Sequence, residues 1–428
     1  MGRRRNWVRI AVVPTALALA AAACTNSPTS VSSGGNGAPG VTGNSITVGS
    51  LANVTGPLSA DFAPITSGVQ AYFDMVNAAG GVAGRKLVLR YQQDDQGSPS
   101  IDLTVAQTLV EQDHVFAVVG VGTPFFGSAR YLAAHGVPTF GYQVSADWQD
   151  GPSLFGAYGS LLDYSAGEPG FAYFAKRVEA QSVGVVAYGV AQSAAACRAV
   201  ADAMQRFGVF VGFEDVNFLF GSDPTADVLQ MKAHHVDTVF SCLDVTGNVA
   251  FTRAMAQNGL SVRQLWLNGY DRSTLQQYAP LMSGVYMGLQ HVPFEAVAEF
   301  PGRYPGMERY LNEMQRYEPA STYDEVAFDG WVSAALFVSG LRAVGRHLTQ
   351  ARLVRAVNDE RAFTGDGVIT PVDWTQAHST AIPPFCSTSV VVEGDRFVPV
   401  VQPDGSVYVC FDSNSVVPVP PKPGTPGT

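Results

Sequence analysis

The chain has 428 residues, of which 46% are hydrophobic and 14% charged, with 24 Phe and 16 Tyr. That balance excludes a disordered chain, and the length exceeds one ordinary core, which points to two lobes. The formal net charge of -10 gives a surface that repels nucleic acid and anionic lipid headgroups, so neither is expected as a partner.

At the N-terminus, Arg3-Arg4-Arg5 precedes an apolar run from Ile10 to Ala23. The run is short for a bilayer span and has the layout of a secretory signal. It ends in Ala21-Ala22-Ala23-Cys24. Small residues before a single Cys resemble a bacterial lipobox, with Ala21 in place of the usual Leu. Residues 1–23 are therefore expected to be a lipoprotein signal peptide, and Cys24 the lipidated residue that holds the chain to the outer face of the plasma membrane. An ordinary signal peptide beside a chance Cys is the plainer alternative. Residues 24–44 are mostly Ser, Gly, Pro, Thr and Asn and read as a flexible tether. Residues 413–428 are Pro-rich and read as a disordered tail.

Between these ends, short apolar runs alternate with helical patterns. Ile46-Thr47-Val48 reads as a strand. Val69, Tyr72, Phe73 and Val76 follow at i, i+3, i+4 and i+7, which is one helical stripe. Gly80-Gly81 ends that helix. Leu87-Val88-Leu89 is a strand, Ile101, Val105, Leu109 and Val110 mark a helix, and Val115–Val119 is a continuous apolar strand of the kind buried in parallel sheets. Val137–Phe140 is the next strand. The rhythm restarts at Val183–Ala187, with a helix over 191–207, a strand at Val209–Val211, a helix near 224–234, a strand at Val236–Phe240, a helix over 247–258 and a strand at Gln264–Leu267. Two β-α-β series predict an α/β fold of two doubly wound parallel sheets. Helices are predicted near 305–316, 324–343 and 348–357, then a hairpin over 387–401.

After the leader, Cys197, Cys242, Cys386 and Cys410 remain. Export permits disulfides, and four cysteines allow three pairings. The proximity of the elements they occupy predicts Cys197–Cys242 and Cys386–Cys410, against free buried thiols. No Cys-x-x-Cys or close Cys/His cluster is present, so no metal site is expected. Gly-x-Ser-x-Gly, the Walker loop and His-Glu-x-x-His are absent, so neither an enzyme nor a cofactor is expected. Gly120-x-Gly122 is only a faint dinucleotide-loop pattern, since Pro124 would disturb the turn.

In open α/β sheets, ligands bind beyond the carboxyl ends of the strands. The residues placed there are Asp61 and Phe62, then Thr123, Pro124 and Phe125, then Ser145 and Trp148, then Tyr188, Asp244, Tyr270 and Asp271. Rings, hydroxyls and carboxylates together can sandwich an apolar body and bond a polar group. Each has a duller reading: a core wedge for Phe125, a lobe edge for Trp148, packing under a helix for Tyr188, and a helix N-cap for Asp244 and Asp271.

Thr55-Gly56-Pro57-Leu58, the string Asn77-Ala78-Ala79-Gly80-Gly81-Val82-Ala83-Gly84-Arg85-Lys86-Leu87, Asp94-Asp95, Val115–Gly120, Gly136-Val137-Pro138 and Gly394–Val400 resemble the branched-chain amino-acid-binding proteins of bacterial ABC importers, which are type I periplasmic binding proteins. The resemblance implies two lobes joined by three crossover strands near 160, 290 and 370, with lobes of 45–160 plus 291–370 and of 161–290 plus 371–412. It also implies capture of a small organic solute and its delivery to an ABC permease, or else ligand sensing for a membrane partner. In that family a Ser-rich loop after the third strand and a Ser or Thr after the fourth hold an amino acid. Here Thr123-Pro124-Phe125-Phe126 replaces the serines, Ser145-Ala146 matches the second position, Tyr188 matches a cleft tyrosine, and the acidic amine partner falls near Tyr270-Asp271. Pro124 removes a backbone donor, so a more apolar or aromatic solute than an amino acid is expected.

Overall fold

The computed structural model describes residues 38–56, 58–161, 169–381 and 383–428. The leader 1–23, the Cys24 anchor and the tether as far as residue 37 lie outside the described residues. The last part of the expected tether packs onto the fold instead: Val41 bridges to Ile46, and Arg85 Nε donates to the Thr42 carbonyl at 2.8 Å. Gly40 permits this, because it has a φ of 68° and lies so close to Phe116 N and Thr47 O that no side chain fits.

The first sheet contains β1 (Ser45–Ala52), β2 (Lys86–Asp94), β3 (Val118–Gly122), β4 (Thr139–Gly141) and β5 (Leu154–Gly156) in the order β2-β1-β3-β4-β5, with every pair parallel. Its helices are α1 (Ile65–Ala78), α2 (Pro99–Gln107) and α3 (Ala129–Ala134). The stripe Val69, Tyr72, Phe73 and Val76 is buried as its spacing requires.

The second sheet begins after α4 (Pro169–Arg177). It contains β6 (Val183–Tyr188), α5 (Ala191–Arg206), β7 (Val211–Phe218), α6 (Thr225–Ala233), β8 (Thr238–Cys242), α7 (Val245–Gln257), β9 (Arg263–Trp266), α8 (Arg272–Met282) and β10 (Val285–Leu289). β7 is an edge strand and runs well past the expected Val209–Val211. Its Val216 and Phe218 are buried while its neighbours alternate outward, a half-buried pattern that a search for continuous apolar runs passes over.

The chain then supplies α9 (Ala296–Glu299), α10 (Pro305–Tyr317), α11 (Glu325–Val344) and α12 (Gln350–Asn358), and returns as β11 (Phe385–Glu393), β12 (Arg396–Pro399) and β13 (Val409–Phe411). β11 pairs antiparallel with β10, so the second sheet is mixed at this edge and reads β12-β11-β10-β9-β8-β6-β7. α11 has the length and apolarity of a membrane span, but 78% of its most apolar window is buried, and it serves as a central core helix. It meets α1 at close range: Gly68 faces the Ala327 carbonyl, and Gly330 faces that of Ile65.

The passages between sheets lie side by side. Ser160 N and Leu161 N both donate to Ala377 O at 3.0 Å, and His291 bridges to Ile369. Disulfides join Cys197 of α5 to Cys242 of β8, and Cys386 of β11 to Cys410 of β13, the expected pairings. The tail expected to be disordered lies against the body. Val419 pairs with Cys410, Arg303 Nε donates to Gly427 O at 3.1 Å, and Thr425 is buried. Its composition lacks apolar bulk, but backbone groups and a proline run still pack where a groove receives them.

Candidate functional site

The residues that follow the parallel strands of both sheets open onto one cleft of about 1520 Å³. Eight of the expected residues line it: Asp61, Phe62, Pro124, Phe125, Tyr188, Asp244, Tyr270 and Asp271. Three do not. Trp148 is fully buried with its ring 4.7 Å from that of Phe126, so it holds the outer core of the first sheet. Thr123 turns inward, and its hydroxyl accepts from Phe125 N at 3.2 Å, which fixes the loop. Ser145 donates to Asp147 at 2.9 Å.

Asp61 ends the 3-10 turn Ser59–Asp61 after β1. Burial and the facing Asp244 push its carboxyl up to about 7, opposed by a hydrogen bond from the Val245 amide. Asp244 N-caps α7 through Gly247 N at 2.8 Å and also accepts from the Tyr188 hydroxyl. The cap reading and the cleft reading of Asp244 therefore hold together. Tyr188 stacks on Phe220, with ring centroids 3.7 Å apart. Asp271 is likewise both a cap, accepting from Ser273 N and Thr274 N, and a cleft residue. Tyr270 is nearly buried; its hydroxyl donates to Glu295 and accepts from Phe294 N at 2.7 Å.

Several contacts join the two sides. Gln192 Nε2 donates to Pro124 O at 2.6 Å, Arg272 N donates to Tyr323 O at 3.1 Å, and Asp271 bridges to Asp324. Asp324, the N-cap of α11, is pushed up to about 7 by burial and then by Asp271.

Sequence reasoning missed the N-terminal turns of α11. Asp329 is 1% exposed, lines the cleft and accepts from the Tyr158 hydroxyl. Burial and Glu325 hold its carboxyl well above the ordinary carboxylate range. Glu325 lies 3.6 Å from His291 Nε2. The available signal was a lone carboxylate inside the run Val326-Ala327-Phe328-Asp329-Gly330-Trp331. An ionisable group on a core helix is rarely placed there for packing alone. Gln143, after β4, was also missed.

Comparisons with known proteins agree with this architecture. A family model described as periplasmic binding protein matches residues 45–395. A curated relative, the Leu/Ile/Val-binding protein homolog 3 of Brucella melitensis, is 36% identical over 78 residues; the match spans 18% of this chain and only 21% of that protein. Among solved structures, a fatty acid ABC transporter substrate-binding protein from Thermomonospora curvata superposes with a TM-score of 0.72 at 19% identity, covering 90% of this chain and 97% of that one. A branched-chain amino acid ABC transporter structure from Thermus thermophilus with bound valine gives 0.70 at 17% identity, over 86% and 98%. At such identities the likeness is one of fold, that of the type I periplasmic binding proteins.

Proposed function

This chain belongs to the periplasmic binding protein family, and on that premise we propose that it captures a small organic solute between its two sheets and delivers it to an ABC importer. The observation that carries this reading is a cleft of about 1520 Å³ lined from both sheets, with rings and polar groups at the carboxyl ends of the strands. Pro124 and Phe125 wall it where the amino-acid-binding relatives are expected to present serines, so the solute is more apolar or aromatic than an amino acid. Binding on both sides favours the closed arrangement, which the importer reads. No bond is made or broken. Export and lipidation at Cys24 would hold the protein at the outer face of the membrane.

A thermal-shift screen of the mature protein against amino acids, amides and aromatic acids tests capture, with small-angle scattering on each hit. A rise in melting temperature with compaction is expected. Stabilisation by no compound, or a hit without compaction, counts against it. Mass spectrometry of the membrane-bound protein should show an acylated N-terminal Cys24, and Cys24→Ala should release the protein into the medium.

A further inference from the structure

Two residues that line the cleft each have a buried acceptor atom without a partner among the described residues: Asp329 Oδ1 and Gln143 Oε1. Their residues are 1% and 8% exposed and come from different elements, α11 and the loop after β4. A buried acceptor without a donor is destabilising, and a ligand that brings a donor removes that cost. The Tyr158 hydroxyl already donates to Asp329.

We propose that the solute carries a protonated amine on an apolar or aromatic body, and that Asp329, with Gln143, holds this amine at the first sheet's side of the cleft. The inference rests on solute capture as read above and adds the solute's charge. The groups facing Asp329 are the Tyr158 and Tyr310 hydroxyls and, from its own helix, Glu325 and Asp324; His291 lies against Glu325. The charges that act on Asp329 and on Asp61 are all negative. A carboxylate solute would add another like charge. An ammonium brings the missing donors and the opposite charge at once. Phe62, Phe125, Tyr142, Tyr188 and Phe220 supply ring faces for its body and its cation. Burial and Glu325 hold the Asp329 carboxyl well above the ordinary carboxylate range; an ammonium favours its ionised form, so amine binding is expected to release a proton to solvent.

The probes are phenethylamine, 3-phenylpropionate and 3-phenylpropanol, which share an apolar body and differ in charge. Calorimetry of the mature protein at about pH 6.5 and about pH 8, in buffers of differing ionisation enthalpy, reads affinity and proton release together. The amine is expected to bind about tenfold or more tighter than either isostere, more tightly at the higher pH, with proton release. Asp329→Asn keeps the shape and the acceptor for Tyr158; it should weaken the amine about tenfold and abolish the release. Gln143→Leu, which leaves Asp329 in place, should weaken it less. Tighter binding of the acid overturns the inference and leaves solute capture standing. So does an amine affinity that neither variant nor pH alters. Silence of all three probes also overturns it; silence of the wider screen as well removes solute capture.

Discussion

Replacing Asp61 by Asn removes one member of a carboxyl pair that faces across the cleft. In the folded chain the Asp61 carboxyl is pushed up from 3.8 to about 7 by burial and by Asp244. At ~1.4 kcal/mol for each tenfold change in proton affinity, the rise from 3.8 to about 7 sets a ceiling of about 4 kcal/mol. Asp61 is only half-buried, and water on its open side brings the expected effect to about 1–2 kcal/mol. The sign follows from linkage. The folded state binds the Asp61 proton more tightly than the unfolded state does, so this contribution is fully present below about pH 4 and is lost as pH rises through about 7. Urea unfolding of wild type and Asp61→Asn should give nearly equal stabilities at about pH 4.5, and at about pH 8 the variant should be more stable by about 1–2 kcal/mol. Asp102 and Asp324, also pushed up to about 7, titrate in both proteins, so the difference between the two pH curves isolates Asp61. Parallel curves would refute the reasoning, as would a variant that is the less stable one at the higher pH.

Other changes test the frame around the cleft. Gly330→Ala drives a methyl group into the Ile65 carbonyl where α11 meets α1; calorimetric unfolding should show a loss of about 1–3 kcal/mol. Cys197→Ser with Cys242→Ser opens a bridge between residues 45 apart in sequence. Chain entropy puts the loss near 4 kcal/mol at most, and reductant should lower the urea midpoint of wild type by more than that of the doubly substituted chain, which keeps only the Cys386–Cys410 bridge. Truncation after residue 415 strips the segment that buries Thr425 and seats Gly427 at Arg303. It should lower the melting temperature by a few degrees, whereas a tail without contacts would leave the transition where it was.

The alternation of buried strands and amphipathic helices was legible because burial on both faces writes continuous apolar runs, as at Val183–Ala187, and a single apolar stripe, as at Val69–Val76. The disulfides followed from the positions of the elements that carry them. The loops were legible only as a set. Strand ends locate a cleft, but whether a loop side chain points into it depends on local hydrogen bonds: Thr123 turns inward to hold Phe125 N, and Trp148 is captured by Phe126. β7 and the tail were misjudged for a related reason. An edge strand or a proline-rich segment gains its place from the groove it meets, which one-dimensional patterning does not contain. Asp329 could have been found, since its charge interrupts an apolar helix; which cavity it faces follows only from the packing of α11 against α1, β3 and β4.

The cleft's carboxyls bear on closure as well as on recognition. Where the two sides meet, Asp61 faces Asp244, and Asp271 bridges to Asp324. Like charges brought together out of water stay close only if one takes up a proton or a counter-charge enters. Bringing the sides together therefore opposes the charge on these groups, and hydrogen bonds such as Gln192 to Pro124 O and Arg272 N to Tyr323 O act in the other direction. A solute shifts this balance only by what it contributes differently in the two arrangements. A cation seated at Asp329 does so strongly, since its attraction to carboxyls on both sides grows as they approach, whereas a neutral body of the same shape contributes burial alone. On the proposed capture of an amine, selectivity for charge and coupling to closure follow from one arrangement of acids, and a substitution that neutralises one of them should loosen both together.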